Sequence, residues 1–288
     1  MTGLVDEELV SFFPKSLKFI CHNGAGYDQV DAVACAKRGM YYVLHMFIPG
    51  IRVSNTPGAV VAATADVGIF LLLGAIRNFN HSILELRRGE DTPNFVLIVG
   101  NWKNNVARGH DPEGKIMGIL GMGDIGQAMA VRAVALGMKI QYYNRHRLSE
   151  EKEKAAGNAK YVGFNELLAT SDVLSLNLPL NPKTRHLISR PEFAKMKKGV
   201  VIVNTARGAV MDEEALVEAL DSGIVASAGL DVYENEPEIH PGLMRNENVL
   251  LLPHLGTHTY ETQKEMEVLV IDNIRSAVTT GKLLTPVN

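Results

Sequence analysis

The chain has 288 residues, 46% of them hydrophobic, and a formal charge of -3. That length and composition suit about two globular domains with substantial cores. The near-even charge balance supplies no basic field for nucleic acid, so an anionic substrate has to be met by individually placed cations and backbone amides.

Cys21 and Cys35 are the only cysteines and form no CxxC pair, and the opening MTGLVDEE has no charged-then-apolar leader. Both features predict a cytoplasmic protein. The most apolar stretch, Ala59 to Ile76, contains Thr64 and Asp66. Moving that acid out of water is costly, so the stretch reads as a buried or subunit-facing helix, and no membrane partner is expected.

Along the chain, Leu17 to Cys21 reads as a short buried strand opening into His22-Asn23-Gly24-Ala25-Gly26, followed by a helix carrying Val30, Val33 and Ala34. Ile51 to Ser54 is the next strand. Asn55-Thr56-Pro57-Gly58 breaks the chain as a hinge, and one long helical pattern runs from Ala59 through Leu71, Ile76 and Leu84 to Arg88. From Lys115 the rhythm is strand, turn, helix. Strands are predicted at Ile116 to Leu120, Lys139 to Tyr143, Val173 to Leu176, Val200 to Val203, Ala228 to Val232 and Val249 to Leu252. A helix is predicted from Asp212 to Ser222 with Leu216 and Leu220 on one face, and a last helix from Tyr260 to Thr280 returns toward the first segment. Alternation of this kind predicts an α/β fold with a doubly wound parallel sheet.

Gly121-Met122-Gly123-Asp124-Ile125-Gly126 follows the first of these strands and opens a helix. The first glycine permits a tight turn, the second lets a pyrophosphate approach the backbone, and the third lets helix and strand pack closely. Asp124 is expected to turn outward, because a carboxylate beside a pyrophosphate repels it. The next strand ends Gln141-Tyr142-Tyr143-Asn144-Arg145-His146-Arg147, with no acid where an NAD site would place one against the ribose hydroxyls. Asn144 and Arg145 can instead bond and pair with a phosphate, so NADP is expected over NAD. The remaining histidines show no paired metal-ligand spacing, and no metal is expected.

Three later blocks carry the chemistry: NTARG (Asn204 to Gly208), GLDVYENEP (Gly229 to Pro237) and PHLGTHT (Pro253 to Thr259). Each follows an apolar, strand-like run, and together they supply an arginine, a carboxylate and a histidine. That set suits reduction of a ketone beside a carboxylate, which needs a cation for the anion and a proton donor for the developing alkoxide.

With HNGAGYDQVD, VSNTPGAV, GILGMGDIG, NLPLNPKTRHLI and VVIVNTARGAVMDEEAL added, the chain resembles the D-2-hydroxyacid dehydrogenases from Leu17 to Thr259. Within them it is most like the NADPH-linked glyoxylate/hydroxypyruvate reductases and the fungal D-mandelate dehydrogenase-like enzymes. The resemblance implies that Arg207 holds the substrate carboxylate and keto oxygen, Glu236 pairs with the imidazole, and His254 exchanges the proton. It also implies that Ala25 and Gly26 offer amides to the carboxylate and that Asp231 sits by the nicotinamide carboxamide. Thr64, Pro179, Thr184, Thr205 and Ala206 lie in blocks that line the cofactor. A homodimer formed through the Ala59 to Arg88 helix is implied as well, with a small 2-keto acid as substrate. Relatives on this scaffold that bind partners leave a non-enzymatic dinucleotide sensor or co-repressor-like protein open as an alternative, and an incomplete substrate domain leaves open an inactive truncated remnant.

The expected domains are residues 1–55 with 258–288 for substrate, flavodoxin-like, and residues 56–257 for the dinucleotide, with the active site in the cleft between them. The substrate domain reads as N-terminally shortened, because the family places a further strand–helix unit before Leu17, and its loss predicts an exposed sheet edge. Two apolar inserts stand at joints of the family pattern, Met40 to Gly50 and Glu90 to Gly100. Added strands and retained introns are both open readings of them.

Overall fold

The computed structural model describes residues 3–38, 41–43, 46–48, 50–90 and 107–288. The chain divides into two compact units, Met1–Ala63 with Thr257–Asn288, and Thr64–Gly256. The segment FVLIV, and the Glu90 to Gly100 insert beyond Glu90, lie outside the described residues.

In the smaller unit, α1 (Glu7–Phe12) is capped by Asp6, whose carboxylate accepts from Leu9 N, and α2 (Ala32–Lys37) by Asp31, which accepts from Ala34 N. Each cap satisfies a backbone donor that a helix start leaves unpaired. Between them lies β1 (Phe19–Cys21). The expected helix through Val30 begins later, since Val30 precedes the cap and bridges to Val5, while Val33 is exposed. The first insert contains a hairpin of β2 (Tyr41–Val43) and β3 (Met46–Ile48), which is the added-strand reading of that segment. Strand β4 (Arg52–Ser54) pairs parallel with β1, setting Phe19 opposite Arg52 and Cys21 opposite Ser54. Val10, Val30, Ala34, Cys35, Ile51 and Val53 close the core of this unit.

The long helix expected from Ala59 to Arg88 is instead two, α3 (Val61–Ile76) and α4 (Phe79–Glu90), bent by 71°. Asn78 causes the break. It takes a left-handed backbone, φ 54°, its Nδ2 donates to Ala107 O at 3.1 Å, and Ser82 bonds back to its carbonyl. Asparagine is one of the few residues that ends a helix this way at small cost. Among the described residues, no single helix is long and apolar enough to cross a membrane.

The larger unit then runs β5 (Ile116–Leu120), α5 (Asp124–Ala135), β6 (Lys139–Tyr143), α6 (Glu150–Ala155), β7 (Lys160–Tyr161), α7 (Phe164–Thr170), β8 (Val173–Leu176), α8 (Arg190–Phe193), β9 (Val200–Asn204), α9 (Glu213–Asp221), β10 (Val225–Leu230), α10 (Pro241–Arg245) and β11 (Val249–Leu251). The seven strands form one parallel sheet in the order β11-β10-β9-β8-β5-β6-β7. Strand β10 starts and ends earlier than the expected Ala228 to Val232, running Val225–Leu230, since the chain already pairs with β9 from Val225 opposite Val200.

Alternation sends Met117, Ile119, Val201 and Val203 to one face, against Leu71, Leu72 and Ala75 of α3 and Met129, Ala130 and Ala133 of α5. Leu120, Leu174, Leu176, Val200 and Ile202 meet Leu167, Leu168, Leu216 and Leu220 on the other face. Both faces are covered, so the strands read as unbroken apolar runs. Each buried Val, Leu, Ile or Met side chain among them contributes about 1.5–3 kcal/mol.

The chain closes with α11 (Tyr260–Thr280), which packs on β1 within the smaller unit. Beyond it, Asn288 Oδ1 accepts from Val53 N and Val287 N donates to Val53 O, laying the terminus along β4.

Candidate active site

The sheet order reverses between β5 and β8, where the next strand in sequence after β5 lies on one side and β8 on the other. In open parallel sheets, ligands bind beyond the carboxyl ends of the strands at such a point. Here the glycine turn follows β5. Gly121 has φ 99°, and a Cβ there would stand 2.7 Å from Asn177 O. A Cβ on Gly126 would fall 2.6 Å from Gly121 O, whereas Gly123, the cap of α5, faces open space. Gly123 is thus the one of the three glycines whose bareness no internal packing requires. Asp124 stands exposed in the first turn of α5, and Ile125 is partly buried beside it. The positive helix end favours the acid there.

Beyond the carboxyl ends of β8 and β9, two buried side-chain oxygens have no hydrogen-bond partner, Asn177 Oδ1 and Thr205 Oγ1. Unpaired buried acceptors are costly unless a ligand completes them. The glycine turn and these two atoms together fit a dinucleotide. Thr205 is among the residues expected from sequence, and Asn177 is a further one. Thr64 is committed elsewhere, its hydroxyl donating to Gly256 O at 3.3 Å. The Thr184 hydroxyl ties a loop shut, donating to Pro179 O at 2.7 Å and accepting from Asn181 N at 2.9 Å.

At the end of β6, Asn144 Oδ1 accepts from Met122 N at 2.7 Å, latching the glycine turn to the basic turn. Arg147 is exposed but already committed. It forms two hydrogen bonds with Glu153, at 2.9 and 2.8 Å, and Tyr142 donates to the same carboxylate at 2.6 Å. Those bonds hold the Glu153 carboxyl down at about 2, while burial and its bond to Glu153 push the Tyr142 phenol up to about 12. Arg145 and His146 are exposed as well.

The three reacting residues of the sequence reading lie in the larger unit, beyond β9, β10 and β11. His254 Nδ1 meets Glu236 Oε2 at 2.8 Å, and Tyr233 N donates to Glu236 Oε1 at 3.0 Å. The Glu236 bond raises His254 above the ordinary imidazole value; burial and the Arg207 charge oppose it, and Asp231 assists. Burial pushes Glu236 up, but the bonds from His254 and Tyr233 and the charges of His254 and Arg207 outweigh it and keep the carboxyl low.

Asn204 shapes the arginine turn. Its Oδ1 accepts from Ala206 N and its Nδ2 donates to Arg207 O, both at 3.0 Å. Arg207 Nη1 also donates to Ala206 O at 2.8 Å. Asp231 is buried and accepts from Leu255 N at 2.6 Å and Gly256 N at 2.8 Å. Burial raises its carboxyl despite those two bonds. This clamp sits beside His254, whose backbone is left-handed at φ 57°. Such a conformation in a non-glycine residue costs of order 1–3 kcal/mol and persists only where neighbours enforce it.

Ala25 and Gly26 belong to the smaller unit. There Ala25 O accepts from Asn55 Nδ2 at 2.8 Å, and Gly26 O contacts His22 Nε2 at 2.9 Å, which fixes the loop. Away from these groups, His81, Glu85 and Glu247 bring ligand atoms within 4.8 Å of one another. Histidine spacing gave no sign of that cluster, because Glu247 joins it from a distant turn. It includes a His81–Glu247 ion pair at 2.9 Å, and Asn80 Nδ2 bonds Glu247 O and Val249 O beside it.

A parallel sheet with a glycine turn at its reversal point and a histidine–carboxylate pair near an arginine defines a dinucleotide-linked oxidoreductase. Residues 69–256 match the model of the D-isomer specific 2-hydroxyacid dehydrogenase NAD binding domain. The chain belongs to this family, whose members act on the CH–OH group of 2-hydroxy acids. It is 58% identical to 4-methyl-2-oxopentanoate reductase A of Aspergillus oryzae (strain ATCC 42149 / RIB 40) over 99% of its own length and 79% of that protein's. A glyoxylate reductase structure from Paecilomyes thermophila shares 56% identity at a TM-score of 0.88, with 99% of this chain and 80% of that one covered. An NADPH-dependent glyoxylate/hydroxypyruvate reductase from Sinorhizobium meliloti, in complex with NADP and malonate, shares 31% identity at a TM-score of 0.85, covering 99% and 82%.

Proposed function

We propose that the chain reduces a small 2-keto acid to its D-2-hydroxy acid with NADPH, with residues 56–257 holding the cofactor and residues 1–55 with 258–288 the substrate. The observation that carries this reading is the 2.8 Å bond between His254 Nδ1 and Glu236, which leaves Nε2 to exchange a proton. A reduced nicotinamide, when bound, supplies the hydride. Gly121, Gly123, Gly126, Asp124, Ile125, Asn144, Arg145, Asn177, Thr205 and Asp231 would hold it, with Thr64, Pro179, Thr184 and Ala206 shaping the walls. His254 as imidazolium gives its proton to the carbonyl oxygen as the alkoxide forms, and Glu236 favours that charged form. Arg207 holds the substrate carboxylate and keto oxygen through its planar fork, and Ala25 and Gly26 offer amides to the same carboxylate.

NADP rather than NAD is supported by the absence of an acid after β6 and by Arg145, which stays exposed while Glu153 engages Arg147. Candidate substrates are glyoxylate, hydroxypyruvate and phenylglyoxylate, to which the Aspergillus relative adds 4-methyl-2-oxopentanoate. Exposed Phe70, Phe79, Ile83 and Leu86 on α3 and α4 support a homodimer, and the unpaired Cys21 and Cys35 suit the cytoplasm. The test is NADPH oxidation with the four keto acids. Turnover with at least one of them, together with a D-configured product, is expected. NADPH binding without turnover on any of them overturns the enzymatic reading in favour of a sensor.

A further inference from the structure

Glu213 is the second acid of the DEE run and opens α9, yet it is only 6% exposed. A carboxylate is an expensive group to bury, and the site must satisfy it. Its Oε1 accepts from Glu234 N at 2.6 Å, and the next residue of the helix, Glu214, meets His240 Nε2 at 2.9 Å. The first turn of α9 therefore ties both ends of the loop from Glu234 to His240, Glu213 holding the end at Glu234, and Glu236 lies inside that loop. The opposite side is closed by the arginine turn: a Cβ on Gly208 would fall 1.9 Å from Tyr233 C and 2.3 Å from Glu234 N. Arg207 and Glu236 are thus built against each other through Gly208, with Glu213 holding the far edge of the loop. Tyr233, whose N–H bonds Glu236, is itself fixed by its hydroxyl on Leu252 O at 2.8 Å.

We propose that Glu213 is a positioning residue for the Glu236–His254 pair, holding the loop so that the Glu236 carboxylate meets Nδ1. The inference rests on His254 as the proton donor. Burial pushes the Glu213 carboxyl up, as does the charge of Glu234, while the Glu234 N–H bond and the nearby His240 oppose the rise. Around His254 the charged groups are Glu236, Arg207 and Asp231. Losing the loop anchor weakens the Glu236 bond, so imidazolium becomes less favoured and the His254 midpoint falls.

The test compares wild type, Glu213→Gln and Glu213→Ala by NMR titration of 13C-labelled histidine, with the His254 signal assigned by its loss in His254→Gln. The pH profile of keto-acid reduction is measured alongside. Glutamine keeps the size but offers one acceptor oxygen in place of two; alanine offers none. The His254 midpoint and the basic limb of reduction are expected to move to lower pH, least for glutamine and most for alanine, with kcat down about 100-fold in the alanine variant. If alanine does not fold, glutamine alone decides. A wild-type His254 midpoint in the folded variants, whatever their melting temperature, overturns the proposal. A midpoint that depends on Glu213 in a wild-type chain with no reductase activity keeps the positioning and removes only the function.

Discussion

Two carboxylate–cation pairs in the larger unit have nearly the same length and opposite uses. Glu153 and Arg147 meet at 2.8 Å behind β6, and Glu236 and His254 meet at 2.8 Å beyond β10 and β11. In the first, the cation is permanently charged and a tyrosine completes the shell, so the carboxyl is driven to about 2 and the group is locked. In the second, the cation is an imidazole raised above its ordinary value, so its charge is a variable of the working range. On the proposed reading, the same contact is a strut when the partner cannot lose its proton and a proton relay when it can.

Removing the titratable partner breaks the comparison most severely. His254→Ala is expected to lower kcat for keto-acid reduction by about 10²–10⁴-fold, with NADPH affinity retained; near-normal turnover in stopped-flow assays would falsify the assignment. Glu236→Gln keeps the ring but removes the charge that favours imidazolium. Reduction needs the charged ring, so its rate falls as pH rises through the His254 value. In this variant that fall should come at lower pH, and the oxidation of the hydroxy acid should begin at lower pH too. An unchanged pair of profiles would separate Glu236 from proton exchange.

The strut should answer differently. Glu153→Gln is expected to lower the melting temperature by a few degrees at neutral pH while leaving the pH profile of reduction in place. Because the folded Glu153 carboxyl lies below its unfolded value of about 4.3, its contribution is present above that pH and disappears as pH drops toward about 2. The melting difference between wild type and variant should therefore vanish in acid, and a constant difference across pH would count against the pairing. The smallest effect is expected at the turn beyond it: Arg145→Ala should raise the KM for NADPH about tenfold and leave that for NADH unchanged. Equal changes for the two cofactors would remove Arg145 from phosphate recognition.

Much of the larger unit was legible because its strands are buried on both faces. Ile116 to Leu120, Lys139 to Tyr143 and Val173 to Leu176 appear with the bounds their apolar runs define. Strand β7 is two residues long, with Lys160 exposed, and left no such run. The break at Asn78 had a local signal in the asparagine itself, but the apolar rhythm on both sides masked it. Of the site, the residue types and their places after strands could be read from the chain. Their supports could not, because Asp231 reaches Leu255 and Gly256, and Glu213 reaches Glu234, through hydrogen bonds that leave no periodicity behind.

The Asn144 latch also bears on how cofactor choice changes over evolution. Only its oxygen is spent on Met122 N. Asn144→Asp preserves an acceptor of the same reach and exchanges Nδ2 for a second oxygen, the kind of group that receives ribose hydroxyls and repels a phosphate. On the proposed NADP reading, the selectivity of this scaffold is separable from its architecture: one atom's identity can be rewritten while the turn it fastens keeps its shape.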